Sequence, residues 1–142
     1  MVISIASDHA GYELRQAIVS HLERKGHQVL DRGALSSKEP YSYVQAGRLV
    51  AKDLSEGSAE RGIAICGTGI GISIVCNKKR GIRCALCLNE CMARLARQHN
   101  DANILAMGAR VVGVSLAESM VDTFLSETFD GGRHRERVDD IE

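Results

Sequence analysis

The sequence predicts an α/β fold: a three-layer αβα sandwich around a five-stranded, parallel, Rossmann-like sheet. Two observations carry this. Short β-type apolar runs alternate with longer spans that place apolar residues at helical spacing, along nearly all of the 142-residue chain. Two of the helical spans also close on basic residues and a glycine, Arg24-Lys25-Gly26 and Lys78-Lys79-Arg80-Gly81, which is how helices stop. Strands separated by helices at this spacing build a parallel sheet covered on both faces.

The elements follow in order. Val2 to Ser7 is the first strand. Helix one runs from about Tyr12 to Lys25, with Leu14, Ile18 and Leu22 on one stripe. Gln28 to Asp31 is strand two, and Arg32 to Ser42 is a loop holding the only proline, Pro40. Helix two spans roughly Tyr43 to Ser55, with Ala46, Val50 and Leu54 in register. Gly62 to Ile65 is strand three and leads into Cys66. Helix three is Ile72 to Arg80, strand four Arg83 to Cys87, helix four about Glu90 to Arg97, and strand five Asn103 to Met107. Helix five, about Leu116 to Glu127, turns Ala117, Met120, Val121, Phe124 and Leu125 to one side. A polar tail, Asp130 to Glu142, closes the chain. Residues 1–142 read as a single domain, without internal repeat, low-complexity tract or linker.

Composition narrows the functional classes. The formal net charge is zero, which disfavours a general nucleic-acid or membrane-surface role. No apolar run approaches the ~20 residues of a membrane span. The chain starts directly on strand residues, so no signal peptide is expected. Five cysteines, odd in number and confined to positions 66–91, are not a disulfide framework and fit a reducing cytoplasm. Cys84 and Cys87 with Cys91 invite a metal reading. However, the first two fall on an apolar strand and no second paired motif exists, so they read as small buried thiols.

The most informative stretch is Cys66-Gly67-Thr68-Gly69-Ile70-Gly71. A thiol ends a strand, a Gly/Thr turn follows, and a helix begins. Such a turn offers backbone N–H groups and a helix amino terminus to an anion. A base beside an anion hole suits acyl transfer or enolisation, and helix amino termini favour thiolates. The pattern is no P-loop, since Gly-Lys-Ser/Thr is missing. It also follows the third strand, so it is not a dinucleotide fingerprint. Ligands of parallel sheets bind outside the carboxyl ends of the strands. On that rim the spacing gathers Asp8 and His9 after strand one, Cys66 after strand three, His99-Asn100-Asp101 just before strand five, and Gly108 and Arg110 after it.

Each group has a duller reading beside the functional one. Asp8 could cap helix one. His9 could be a solvated or core-satisfied histidine, Cys66 an inert buried thiol, and His99-Asn100-Asp101 a helix-ending turn. Arg133, Arg135 and Arg137, with His134, could be a solvated basic face.

Taken together, Ser7-Asp8-His9-Ala10-Gly11, Cys66-Gly67-Thr68-Gly69-Ile70-Gly71, Asn77-Lys78, Arg97-Gln98-His99-Asn100-Asp101-Ala102-Asn103, Gly108-Ala109-Arg110-Val111-Val112-Gly113 and Gly131-Gly132-Arg133-His134-x-x-Arg137-Val138 resemble the type B ribose-5-phosphate isomerases. The wider family includes galactose- and allose-6-phosphate isomerases. The resemblance runs nearly end to end, in order and spacing.

The resemblance implies roles. Cys66 would move a proton between C1 and C2 of an open-chain aldose phosphate. A second subtype lacks this cysteine and carries a glutamate where this chain has Ile72. Backbone N–H groups of Gly67, Gly69, Ile70 and Gly71 would hold the developing enediolate oxygen. Thr68 would contact the sugar and, with Asp8 or His99, assist ring opening or proton shuttling. His9, Arg133 and Arg137 would bind phosphate, and Asn100 and Arg110 would complete the pocket. The site would lie between two subunits of a homodimer, or of a tetramer built from such dimers, with the His99 segment supplied by the neighbour. The partner is a small phosphorylated sugar; neither metal nor organic cofactor is implied. One departure stands out: the family's usual Asp-Tyr-Pro reads Pro40-Tyr41-Ser42 here. That loop borders the sugar, so a four-carbon erythrose/erythrulose phosphate or an allose or galactose 6-phosphate competes with ribose 5-phosphate as substrate. A non-catalytic sugar-phosphate-binding module would have lost the base or the anchors, and both are present. A thiol hydrolase with Cys66 as nucleophile and His99 as base would not explain the arginine-rich tail.

Overall fold

The computed structural model describes all residues from Met1 to Glu142. Five strands, β1 (Val2–Ser7), β2 (Gln28–Gly33), β3 (Arg61–Cys66), β4 (Cys84–Leu86) and β5 (Ile104–Gly108), form one parallel sheet in the order β2-β1-β3-β5-β4. The helices are α1 (Tyr12–Arg24), α2 (Tyr43–Ser55), α3 (Ile70–Cys76), α4 (Glu90–Asn100), α5 (Val114–Ser126) and α6 (Arg133–Asp139). No helix is long and apolar enough to cross a membrane.

Strand side chains alternate between the two faces, and here the faces differ in size. Ile3 and Ile5, Ile63 and Ile65, and Leu105 and Met107 point into a core closed by Leu14, Ile18 and Leu22 of α1, Ala93 and Ala96 of α4, and Met120 and Phe124 of α5. The other face presents Ala6, Ala64, Cys66 and Ala106 to Ala46 and Val50 of α2 and Ile72 and Cys76 of α3. Small residues on this face let α2 and α3 approach closely. The same alternation turns Cys66 towards them.

The expected order of elements is borne out, and the departures have local causes. Helix three starts two residues earlier than expected, because Ile70 N–H donates to Thr68 Oγ1 (3.2 Å) and Gly69 takes a left-handed φ of 81°. It stops at Cys76, not Arg80, because the Asn77 amide leaves the helix to bond both backbone groups of Cys84, at 2.8 and 2.9 Å. Helix four runs on to Asn100, where Asp101 ends it with φ 47°. The polar tail contains α6, anchored by the buried Val138. One apolar residue leaves no periodic stripe, so the sequence does not reveal this helix.

The rim expectation needs a larger correction. Each of α1 to α4 carries the chain back to the start of the next strand. His99 and Asn100 close α4 just before β5 begins, and therefore sit at the amino rim of the sheet. Cys66 pairs with Gly108 at the far ends of β3 and β5, whereas Gly62 pairs with Ile104 at their starts. The four intervening steps separate the rims by about 13 Å.

Candidate functional site

At the carboxyl rim the strand order matters first. The chain runs from β1 outward to β2 in one direction, and to β3 in the other. The crevice between the ends of β1 and β3 is thus the switch point at which such sheets bind ligands. Asp8 and His9 follow β1, and Cys66 ends β3.

Cys66 is 4% exposed, and its Sγ accepts the N–H of Gly69 at 3.2 Å. The turn beyond it is held rigidly from behind. Ala109 N–H donates to Cys66 O (2.8 Å) and Arg110 N–H to Gly67 O (3.0 Å). Gly108 packs so closely that a Cβ there would lie 2.5 Å from the Thr68 carbonyl carbon. With Gly69 N–H on sulfur and Ile70 N–H on Thr68 Oγ1, the N–H groups of Gly67, Thr68, Gly71 and Ile72 have no acceptor within the chain. They form a cluster of free donors beside the thiol. The Arg110 guanidinium lies over Gly67, its Nη1 3.1 Å from where a Cβ would stand.

Asp8 is 7% exposed and accepts Gly11 N–H at 3.0 Å, so it does brace the start of α1. His9 Nδ1 accepts the N–H of Tyr41 at 3.1 Å. The same Nδ1 stands 3.3 Å from Tyr41 O, so both backbone groups of Tyr41 face this ring atom. This contact ties the divergent Pro40-Tyr41-Ser42 loop to the end of β1. Ser42 has a further use: its Oγ accepts Val44 N–H (3.1 Å) and caps α2.

The second group gathers at the amino rim. His99, Asn100, Arg133, His134 and Arg137 line a cleft of about 420 Å³. The fold of α6 sorts the tail arginines. Arg133 and Arg137, four apart on one helix face, border the cleft, while Arg135 stacks over Phe129 at 4.8 Å. His134 stacks on His99, ring centroids 4.2 Å apart and planes within 12°. Desolvation by its neighbours, then the adjacent His99 and Arg133, hold the His134 imidazole below its ordinary value. Sequence reasoning left His134 without a role, although it stands inside the Gly131-Gly132-Arg133-His134 segment.

The structure thus joins Cys66, Thr68, Gly67–Gly71, Asp8, His9 and Arg110 on one rim, and His99, Asn100, Arg133 and Arg137 on the other. It does not bring the two sets together within one chain. Cys84, Cys87 and Cys91 form no ligand cluster; the one gathering of potential ligands is His99, Asp130 and His134. Burial pushes the Cys87 thiol up to about 11. The neighbouring Cys76 and burial push Cys84 well up. Both shifts disfavour the thiolate that a metal would need. The largest cavity, about 690 Å³, borders edge strand β4, between Asn77–Arg80 and the terminal Ile141 and Glu142. It contains no group of the carboxyl rim.

Fold and site define a class: a three-layer α/β protein carrying a thiol and a cluster of free N–H donors at its switch point, with an arginine-lined cleft on the opposite rim. Residues 3–141 match the family model described as Ribose/Galactose Isomerase, and the chain belongs to that family. It is 46% identical, over 98% of its length and 93% of the relative's, to ribose-5-phosphate isomerase B of Escherichia coli. Among solved structures it superposes on ribose-5-phosphate isomerase B of Clostridium thermocellum with a TM-score of 0.97 at 50% identity, covering 99% of this chain and 95% of that one. The Thermotoga maritima ribose 5-phosphate isomerase gives 0.96 at 48% identity, covering 99% and 96%.

Proposed function

We propose that this chain interconverts ribose 5-phosphate and ribulose 5-phosphate through an enediolate, with Cys66 as the base. The observation that carries the chemistry is the thiol at the switch point beside four unpartnered N–H groups. Aldose–ketose isomerisation needs a base for the carbon acid, donors aimed at the developing oxyanion, and an anchor for the distant phosphate. Cys66 takes the proton from C2 and returns it to C1, while the free N–H groups of the Gly67–Gly71 turn hold the charge on oxygen. Thr68, with Asp8 or His99, moves the hydroxyl proton and assists ring opening. His9, Arg133 and Arg137 hold the phosphate, and guanidinium forks suit it. Asn100 and Arg110 complete the pocket. No cofactor has a step in this scheme. Residues 1–142 act as one isomerase domain.

The working site lies between two copies of the chain, in a homodimer. Its two halves stand on opposite rims, so a partner must bring its His99 cleft to this chain's Cys66. A suitable surface surrounds the β4 edge. Ile70 and Ile74 on α3, next to β4 in the chain, are each 54% exposed, and Leu88, Met92 and Leu95, which follow β4, are exposed as well. Exposed large apolar side chains suit an interface, and β4 is a short, half-buried edge that a partner would cover. We place the enzyme in the cytoplasm, where its five free cysteines stay reduced.

A panel of four-, five- and six-carbon aldose and ketose phosphates tests the reading. The five-carbon pair is expected to give the highest kcat/KM. A four- or six-carbon preference would keep the chemistry and change the substrate. Turnover of none of them would refute the isomerase.

A further inference from the structure

We propose that His99, Asp130 and His134 form a transition-metal site on the amino rim, where Zn²⁺ or a similar ion binds from solution and inhibits the enzyme. One ligand atom from each residue lies within 4.8 Å of the other two. Two imidazoles and a carboxylate are a donor set suited to Zn²⁺, leaving a fourth position for water.

The backbone holds these side chains together without any ion. His99 stands in the last turn of α4. Asp130 N–H donates to Gln98 O at 2.9 Å, which pins Asp130 beside that turn. Glu127 reinforces the clamp, accepting from Gln98 Nε2 (2.8 Å) and Arg94 Nε (3.2 Å). His134 stands in the first turn of α6, its N–H on Gly131 O at 3.0 Å. The ligand-bearing segments are therefore already in place.

The remaining adjustment is small. Ring lone pairs lie in the ring planes, so two rings within 12° of parallel cannot both aim at one ion. One must rotate out of the stack, and both are only half-buried. Tetrahedral Zn–N bonds of ~2.0–2.1 Å place ligand atoms about 3.4 Å apart, a shift of little more than an ångström. The ion is no part of the reaction. It competes for His99 and blocks the cleft of Arg133 and Arg137. Binding stands independently of the role assigned to His99 above, whereas inhibition rests on it.

Co²⁺ titration of metal-stripped, full-length protein tests both parts. We expect one Co²⁺ per chain, visible d–d bands without a sulfur charge-transfer band, and displacement by Zn²⁺. His134→Ala and Asp130→Asn should each weaken binding at least ~10-fold, given that loss of an outer-shell partner alone costs 10–100-fold. Zn²⁺ should inhibit over the range in which it binds, and a chelator should restore activity. In the two variants, measured against their own zinc-free rates, inhibition should need correspondingly more zinc. Circular dichroism checks that these surface variants fold. Affinity unchanged in both variants would overturn the site. So would a sulfur-to-cobalt band that Cys66→Ala removes, since the ion would then sit on the thiol. Stoichiometric binding at these residues with full activity would overturn the inhibition, and with it the role given to His99.

Discussion

Cys66 is buried at the end of a strand, and nothing on the opposite side of the chain depends on its sulfur. Cys66→Ala should therefore leave the fold and phosphate affinity intact while lowering kcat by ~10²–10⁴-fold or more, the usual cost of a lost general base. Steady-state rates with circular dichroism check this; near-wild-type turnover in a folded variant would remove Cys66 from the mechanism. In the proposed scheme Arg133 and Arg137 hold the other end of the substrate. Each Arg→Ala change removes a charge-assisted bond of ~1.5–3 kcal/mol, and should raise KM about 10- to 100-fold with kcat little changed. Wild-type saturation in both variants would return α6 to a solvated basic face. Asp8 shows that two readings can hold together: it braces α1 through Gly11, and it still stands at the switch point beside Cys66.

Between elements, the contact to watch is the tip of β5 against the Cys66 turn. Ala at position 108 would place a Cβ 2.5 Å from the Thr68 carbonyl carbon and 2.6 Å from its oxygen. Both are backbone atoms that cannot rotate away. Gly108→Ala should cost about 1–3 kcal/mol as overpacking does, and should also displace the free N–H groups. Activity should then fall further than the loss of folded protein explains; a change in the urea midpoint alone would mean the turn is not aligned by β5. A second contact is electrostatic. Burial pushes the Asp122 carboxyl of α5 up, but hydrogen bonds from His21 and Lys25, and their charge, outweigh it and leave the group below its ordinary value. A carboxyl with a lowered folded pKa stabilises the fold above its unfolded value of about 3.9, and loses that contribution as pH falls through the folded value. Asp122→Asn should lower the urea midpoint at pH 7 and flatten its fall below about pH 4. Parallel profiles for variant and parent would show that the cluster is too well solvated to count.

At the scale of the whole molecule, the proposed shared site predicts that the half-sites on opposite rims meet only between chains. Cys66→Ala and His99→Ala proteins should each be nearly inactive. Unfolded together and refolded as a mixture, about half the dimers should be mixed, each with one site intact and one lacking both residues. Activity should return to about a quarter of wild type. A size tag on one variant confirms exchange. Mixed dimers without activity would put both residues in one chain's site and end the shared-site reading, while the isomerase reading would survive.

The sequence by itself determined the alternation of elements, the thiol-and-glycine turn and the family. Each is written in short-range order: apolar period, capping residues, and a motif of six consecutive positions. Only the tertiary structure decided which strands are neighbours. Periodicity records which face of a strand is buried, and says nothing about the strand beside it. The insertion of β5 between β3 and β4, and so the clasp of Gly108 and Arg110 on the Cys66 turn, was not legible. The rim of His99 could have been read by counting, because every helix between two parallel strands returns the chain to the amino end of the sheet. Helix α6 could not be read even so. Its polar residues carry no stripe, and it is held by one buried valine and by packing against α4, contacts that exist only once the sheet has formed.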